Sequence, residues 1–474
     1  MMKKTNKYKY LLKNTFLLSI SSFGTKILTF FLVPLYTNIL SVEDYGNADL
    51  IITTSGLLVY VVTICVYEAV LRFSIERSEQ REAILGNGLL ITIKGSLILA
   101  VLLIILSIID LVNWPEYFYL ILFLKVTFEG LYCTVLNYLR AIDKMKQVAT
   151  AGIIITITTI VSNILFLLIL RIGLFGYLLS ICLSPLVALI YGVLHCGNIK
   201  YIFDSALNSK SKKAEMIKYS FPLLFNSIAW WMNAGIDKYF IVALCGTAVN
   251  GIYAVSQKIP TILSVVASIF AQAWNLSAIK EFDKDDTDGF FAKTYSLFNA
   301  GLVIICSILI LMNVILAKIL FAKVFFSAWQ YSSWLLISTL FSSTSSFLGS
   351  IFSANKDSKT ISISTIIAAA MNILFNFLLI PWIGALGAAI ATVISFFSVW
   401  FIRLLLTRKY INWKLNLITD FIAYMLLIMQ VVLERAKNHN YVFQILITVS
   451  IIFLYRKLIV DIFTRSLQLL KEIC

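Results

Sequence analysis

The chain has 474 residues, of which 60% are hydrophobic and only 13% are charged, and its formal net charge is +15. Soluble domains carry about 25% charged residues, so this composition excludes an ordinary soluble protein. Apolar runs recur along the whole length, and each can cross a ~30 Å hydrocarbon core as a helix. Sustained alternation of apolar and polar residues, as in the strands of membrane barrels, does not occur. We therefore expect an all-α integral membrane protein.

The apolar runs predict about fourteen transmembrane helices. The basic N-terminus and the apolar stretch that continues to Pro34 indicate a first span that is retained, not a cleaved signal peptide. The seven cysteines have a spacing that fits neither a zinc site nor a disulfide framework, so no metal site is expected. In chain order, the predicted spans are 11–37, 48–70, 84–108, 117–138, 149–170, 174–195, 218–242, 248–276, 294–316, 331–352, 360–380, 384–406, 417–433 and 440–458.

The distribution of basic residues predicts the orientation of these spans. With the N-terminus in the cytoplasm, 29 of the 39 lysines and arginines fall in cytoplasmic segments, which include the stretch from Arg403 to Lys414. Five fall in external loops and five within spans. Loops rich in Lys and Arg stay on the cytoplasmic side, so we predict a multi-pass protein of the inner membrane with both termini in the cytoplasm. The net charge of +15 then reflects basic residues that set the membrane orientation and attract anionic lipid headgroups, and no nucleic-acid partner is expected.

The two halves of the chain resemble each other. An offset of 205 places Tyr45 on Asn250 and Gly46 on Gly251, and Asn163–Phe166 recurs as Asn372–Phe375. Six spans per repeat make the repeats parallel, which predicts two pseudo-symmetric six-helix lobes around a central cavity and two peripheral C-terminal helices. The expected regions are an N-lobe of spans 1–6 (1–195), a cytoplasmic linker (196–217), a C-lobe of spans 7–12 (218–410), and spans 13–14 with an amphipathic cytoplasmic tail (411–474).

Ionisable side chains at membrane depth are candidates for a functional site, because each costs roughly 2.5–3.5 kcal/mol on insertion and usually faces a cavity or a partner. We predict no catalytic residues and no metal ligands. The candidates for substrate binding are five lysines and the candidates for ion coupling are three acids: Lys26, Lys94, Lys125, Lys238 and Lys258, and Glu68, Glu129 and Asp237.

Several of these residues also have a structural interpretation. Lys125 and Glu129 are four residues apart and can form a pair on one helix face. Lys238 is near enough to the interface for its ammonium group to reach water. Glu68 is one turn from Arg72 and can form an interfacial pair with it.

Lys26, Lys94 and Lys258 lie deep within their spans and have no acid three or four residues away. If all eight candidates face a common cavity, five lysines against three acids leave it a formal charge of about +2. A cationic cavity in a low dielectric favours a multiply charged anion such as a diphosphate.

Two segments resemble a known family. The run from Pro34 to Gly46, PLYTNILSVEDYG, is similar to the first external turn of bacterial polysaccharide transporters of the Wzx type, in the multidrug/oligosaccharidyl-lipid/polysaccharide exporter superfamily. The segments Asp237–Ile241 and Gly251–Val255 resemble that family's signature in spans 7 and 8, where arginine is commoner than Lys238. The resemblance extends over nearly the whole chain in span number and repeat layout.

The resemblance implies a flippase that works by alternating access. Its substrate would be an undecaprenyl-diphosphate-linked oligosaccharide repeat unit for O-antigen or capsule, moved from the cytoplasmic to the external leaflet. It implies no cofactor and a transport step coupled to Na⁺ or H⁺. The expected partners are membrane lipids, and the glycosyltransferases and polysaccharide polymerase of the same pathway. Only Lys26, Asp237 and Lys238 receive a cavity role from the family pattern.

Three alternatives remain open. A lipid II flippase would obey the same physics, whereas a multidrug exporter would favour an acidic cavity for organic cations. A membrane glycosyltransferase or polysaccharide polymerase could use acids in the first external loop, where Glu43 and Asp44 lie. That loop is short, and no nucleophile–base pair, phosphate loop or metal cluster accompanies it, so we do not expect an enzyme.

Overall fold

The architecture was obtained as a computed structural model and is helical throughout the residues that it describes. The helices pack into two units, the first reaching to Tyr239 and adding Gly246–Gly251, the second formed by Phe240–Cys245 and the chain from Ile252 onward. The described residues are 30–109, 114–207, 210–280, 286, 289–355, 357–413, 415–435, 441–458 and 460.

The first unit contains a series of long apolar helices joined by short connections. A 3₁₀ turn at Ser78–Gln80 precedes the fourth helix, and a π-helical stretch at Ile164–Ile169 extends the sixth. The helices are α1 (Val33–Ile39), α2 (Val42–Thr63), α3 (Val66–Glu76), α4 (Arg81–Ile109), α5 (Glu116–Ala141), α6 (Met145–Asn163), α7 (Gly173–Leu194), α8 (Ile199–Leu207) and α9 (Lys210–Cys245), the last six residues of which belong to the second unit.

Local sequence explains where α2 begins and where it ends. The Asp44 backbone N–H donates to the Ser41 hydroxyl at 3.0 Å, and the Asp44 carboxylate accepts from the Ser41 backbone, which together form a capping box. At the other end, Ile64 and Cys65 adopt left-handed φ angles of 50° and 53°. This conformation is rare for β-branched residues. The predicted second span, 48–70, is therefore interrupted between α2 and α3.

The second unit is built from the remaining helices around a dense apolar core. α13 and α14 both pack on α15, and α11 packs on α13. Trp400 and Tyr295 are fully buried in this core. The helices are α10 (Thr247–Ser256), which begins in the first unit, α11 (Lys258–Lys280), α12 (Phe290–Leu320), α13 (Trp329–Ala354), α14 (Ser358–Ile383), α15 (Ala385–Thr407), α16 (Leu417–Glu434) and α17 (Tyr441–Leu454).

The all-α membrane class is confirmed. Within the described residues, eleven helical segments are long and apolar enough to cross a membrane, and they coincide with eleven of the predicted spans. Of the other three, span 11–37 lies mostly outside the described residues, the seventh is the long but more polar α9, and the fourteenth is the shorter α17. The chain is a multi-pass membrane protein. The region 196–217, predicted as a linker, contains α8 and the first turns of α9.

One arginine of the predicted cytoplasmic stretch is buried. Arg403 lies in α15 with 1% of its surface exposed. Its guanidinium donates to the Ser345 carbonyl at 2.9 Å and to the Ser364 and Thr365 hydroxyls at 3.0 and 3.1 Å. Neutral acceptors on α13 and α14 thus satisfy a buried cation, as the low dielectric of this core requires.

Candidate functional site

The first unit carries an ion pair on α5. The Lys125 ammonium lies 2.5 Å from the Glu129 carboxylate, and the two side chains are 14% and 35% exposed. This is the pair that their four-residue spacing predicts. Because one charge neutralises the other, neither side chain acts alone in this structure.

Beside this pair, charged and polar groups on α3 face α5. Glu68 is solvent-accessible, and the Arg140 guanidinium of α5 lies within electrostatic range of it. The expected pair of Glu68 with Arg72 does not form, because Arg72 donates to Glu76 at 2.9 Å. Arg140 was missing from the sequence-based candidates because it was counted with the cytoplasmic basic residues.

The interruption between α2 and α3 borders the same region. The Cys65 thiol donates to the Ser227 hydroxyl of α9 at 3.5 Å, and the Tyr67 hydroxyl contacts the Cys65 sulfur at 3.8 Å. Irregular backbone at membrane depth is tolerated only where protein covers it or where it lines a hydrated space. Together with Glu68, Lys125 and Glu129, this interruption defines what we call the polar face of the first unit.

A second ion pair joins α9 to α2. The Lys238 ammonium lies 2.9 Å from the Asp49 carboxylate and donates to the Thr53 hydroxyl at 3.1 Å. Lys238 is therefore buried and paired with Asp49. The neighbouring Asp237 is 2% exposed, and its carboxylate accepts from the Lys238 backbone N–H at 3.0 Å.

The pairing with Asp49 revises the electrostatics expected from the sequence. Asp49 lies within the predicted second span but is not among the three acids, and counting it would lower the formal excess from about +2 to about +1. Sequence spacing could not show the pair, because Asp49 and Lys238 are 189 residues apart.

The remaining lysines occupy different places. Lys94 is exposed on α4, where it shares a groove with Lys213 of α9. Lys258 is half-buried at the first position of α11 in the second unit. Lys26 lies outside the described residues. The convergence of all five lysines on one cavity stays a prediction.

The polar face brings Glu68, Lys125 and Glu129 together on α3 and α5. Because these side chains carry both positive and negative charge, either an anion or a cation could replace one partner of the ion pair. Across the described ranges, no group of three His, Cys, Asp or Glu side chains is arranged to hold a metal ion.

Comparison with known proteins identifies a matching family. Residues 11–275, more than half of the chain, match the family model described as polysaccharide biosynthesis protein. The match includes α1 to α10, the polar face and the Lys238–Asp49 pair. No curated protein sequence matches the chain.

Solved membrane transporters share the fold. The lipid II flippase MurJ, in an inward closed conformation, has 16% sequence identity and a TM-score of 0.68, covering 94% of this chain and 100% of its own. An inward-facing multidrug resistance transporter of the MATE family, in the MOP superfamily, has 13% identity and a TM-score of 0.62, with coverage of 81% and 94%. MATE in the straight conformation has 14% identity and a TM-score of 0.60, with coverage of 84% and 95%.

Proposed function

Because the chain belongs to the polysaccharide biosynthesis protein family, we propose that it is a flippase for lipid-linked oligosaccharides. The substrate is an undecaprenyl-diphosphate-linked repeat unit, which the protein moves from the cytoplasmic to the external leaflet by alternating access. The protein resides in the inner membrane with both termini in the cytoplasm, as the distribution of basic residues predicts. The fold shared with a lipid II flippase over the whole length of that protein supports this proposal.

The polar face gives the proposal its chemistry. A glycan is strongly hydrated, and its hydroxyl groups cannot enter hydrocarbon without replacement hydrogen bonds. Side chains on α3 and α5 can supply such bonds at membrane depth. In this mechanism the substrate diphosphate competes with Glu129 for the Lys125 ammonium, which lies 2.5 Å from the Glu129 carboxylate.

Release of Glu129 from Lys125 then links substrate to the coupling ion. A carboxylate that loses its ammonium partner in a low dielectric becomes a stronger acceptor for H⁺ or Na⁺. Binding of that ion neutralises Glu129. It thereby lowers the free energy of the conformational change from the inward-open to the outward-open state with the substrate enclosed. Glu68, with Arg140 nearby, is the second acid on this face that can participate.

This assignment is transport and not catalysis. In this proposal the substrate leaves chemically unchanged. Glycosyltransferases supply the repeat unit on the cytoplasmic side, and a polymerase consumes it on the other side. Both are partners in the proposed pathway.

A reconstitution experiment tests the function. The purified chain is placed in liposomes with a fluorescent undecaprenyl-diphosphate oligosaccharide, and the fraction reaching the opposite leaflet is measured with a membrane-impermeant quencher. We expect translocation by the wild type and its loss in Lys125→Gln and Glu129→Gln. Lys146→Gln, which alters an exposed lysine at the start of α6, is the matched control and should translocate normally.

Translocation that is equal in the wild type and in protein-free liposomes would refute the flippase assignment. Normal translocation by Lys125→Gln would instead refute the role of the ion pair.

The fold shared with MATE transporters makes multidrug export a second candidate. Lys125 and Arg140 balance the carboxylates of Glu129 and Glu68, which leaves no net negative charge to attract an organic cation, so we expect no efflux of cationic dyes from the same liposomes. Lipid II is tested as a competitor of the oligosaccharide. Equal competition by lipid II would move the assignment to a flippase with broader selectivity.

A further inference from the structure

A groove of 300 Å³ lies within the first unit and borders the interruption at Ile64. It is bounded by α2, α4 and the start of α9. Its walls are aliphatic except for two side chains, Lys94 and Lys213. A groove of this kind has room for a headgroup and part of a hydrocarbon chain, but its two ammonium groups would be poorly stabilised if it held only hydrocarbon.

The two ammonium groups of the groove are close to each other. Burial, and then the nearby charge of Lys94, lower the pKa of Lys213. Neither lysine forms an ion pair with a carboxylate among the described residues. Glu215 is near in sequence, but it is engaged by the Arg77 guanidinium at 2.5 and 2.8 Å. Two like charges beside aliphatic walls repel each other, and an anion placed between them removes that repulsion.

The rest of the groove has the shape of a track for a hydrocarbon chain. Gly95 lines the groove and packs against the backbone of Val62. A larger residue would not fit, because its Cβ atom would overlap the Val62 carbonyl oxygen. Beyond Lys94, the aliphatic side chains of Ile98 and Leu102 continue along α4 and are 63% and 52% exposed. Leu102 is eight residues from Lys94, which corresponds to ~12 Å along a helix.

The charge of the groove is therefore at one end and its apolar surface at the other. The charged end is the one near the start of α9, which the distribution of basic residues predicts to be cytoplasmic. A lipid that enters from the cytoplasmic leaflet has the same polarity, with its headgroup on the cytoplasmic side of its chain.

We propose that this groove binds the diphosphate headgroup and first isoprenoid units of a lipid-linked substrate. Lys94 and Lys213 donate charge-assisted hydrogen bonds to phosphate oxygens, and the chain lies along Ile98 and Leu102. Two ammonium groups match the two negative charges of a diphosphate diester, whereas a phospholipid with one charge would leave one lysine unbalanced. This assignment rests on the proposed function, and it adds a loading site at the edge of the first unit, separate from Lys125 and Glu129.

Photolabelling tests the loading site. The full chain in phosphatidylcholine nanodiscs is irradiated with a photoreactive farnesyl diphosphate analogue, and the labelled peptides are identified by mass spectrometry. We expect labelling of α4 near Ile98 and Leu102, competed by unlabelled farnesyl diphosphate and not by phosphatidylglycerol or farnesol. Lys94→Gln combined with Lys213→Gln should weaken the competition by about tenfold, equivalent to ~1.4 kcal/mol. Lys212→Gln, on the adjacent position of α9, is the matched control and should bind as the wild type.

The outcomes separate the site from the function. Labelling of α4 that the double variant does not change would overturn the site, and so would equal competition by phosphatidylglycerol, which would indicate a resident phospholipid. Wild-type protein that translocates oligosaccharide without labelling in the groove would overturn the site alone. Wild-type protein that labels in the groove but translocates nothing would overturn the function alone.

Discussion

Gly46 of α2 and Gly251 of α10 pack backbone to backbone. A Cβ atom on Gly46 would overlap the carbonyl oxygen of Thr247, and one on Gly251 would overlap the carbonyl oxygen of Val42. The Asn250 side chain crosses the same contact and donates to the Gly46 carbonyl at 3.0 Å. The two glycines are equivalent under the offset of 205 that relates the halves of the sequence. The repeat thus supplies both sides of one helix contact within the first unit.

Gly46→Ala and Gly251→Ala should each destabilise the protein, because the added methyl group meets main-chain atoms that cannot rotate away. Overpacking of this kind costs ~1–3 kcal/mol. The measurement is the thermal unfolding of the detergent-purified variants. Gly301→Ala is the matched control, since no atom lies within 4 Å of a Cβ there and the helix α12 should gain stability. Gly46→Ala and Gly301→Ala with the same melting temperature would contradict the contact.

The buried pair Lys238–Asp49 should show strong coupling in a double-mutant cycle. Removing one partner of a buried ion pair leaves an uncompensated charge and costs ~3–5 kcal/mol, whereas replacing both with apolar residues restores much of that loss. We expect Lys238→Met and Asp49→Leu to be unstable individually and more stable together. Denaturant unfolding of the four proteins gives the coupling free energy.

The pair Arg72–Glu76 is a control for that cycle. Its N–O distance is also 2.9 Å, but its side chains are 54% and 46% exposed. Exposed pairs four residues apart on a helix couple by only ~0.3–0.5 kcal/mol. Equal coupling in the two cycles would show that Lys238 and Asp49 are not buried together.

The membrane spans could be predicted from the sequence because a long apolar run leaves few alternatives. The break after Thr63 could not, since Ile64 and Cys65 are neither glycine nor proline and give no local signal. Tertiary contacts hold that break, including the one from Cys65 to Ser227, which is 162 residues away.

The site was predictable only where its partners are neighbours in sequence. Lys125 and Glu129 are four residues apart, so their pairing follows from helix geometry. Asp49, which pairs with Lys238, and Lys213, which neighbours Lys94, lie on other helices, and a single sequence does not show which helices pack together. Whether a lysine in a span pairs with a carboxylate therefore required the structure.

Substitution of Arg403 by lysine should destabilise the protein. Its planar guanidinium reaches the Ser345 carbonyl and the Ser364 and Thr365 hydroxyls from one position, and an ammonium group cannot reproduce that fork. Each hydrogen bond to a charged group is worth ~1.5–3 kcal/mol, so Arg403→Lys should lose at least one such contribution while it still buries a charge. Thermal unfolding is the measurement, and Arg408→Lys, at an exposed position of the same segment, is the control. An Arg403→Lys protein as stable as the Arg408→Lys protein would contradict the buried network.

The start of α14 should make stability depend on pH at the acidic end. Hydrogen bonds from Thr360, and then from the Tyr410 hydroxyl at 2.6 Å, lower the pKa of Asp357 from 3.8 to about 2. A carboxyl whose pKa is lower in the folded state stabilises the protein above its unfolded pKa, and this stabilisation is lost as the pH falls toward the folded pKa.

Asp357→Asn keeps a neutral N-cap but loses the charge. We expect it to melt below the wild type at pH 7, with a difference that shrinks between about pH 4 and pH 2. Asp204→Asn, at an exposed aspartate of α8, is the control. A difference for Asp357→Asn that is constant between pH 7 and pH 3 would show that the carboxylate charge does not stabilise this helix start.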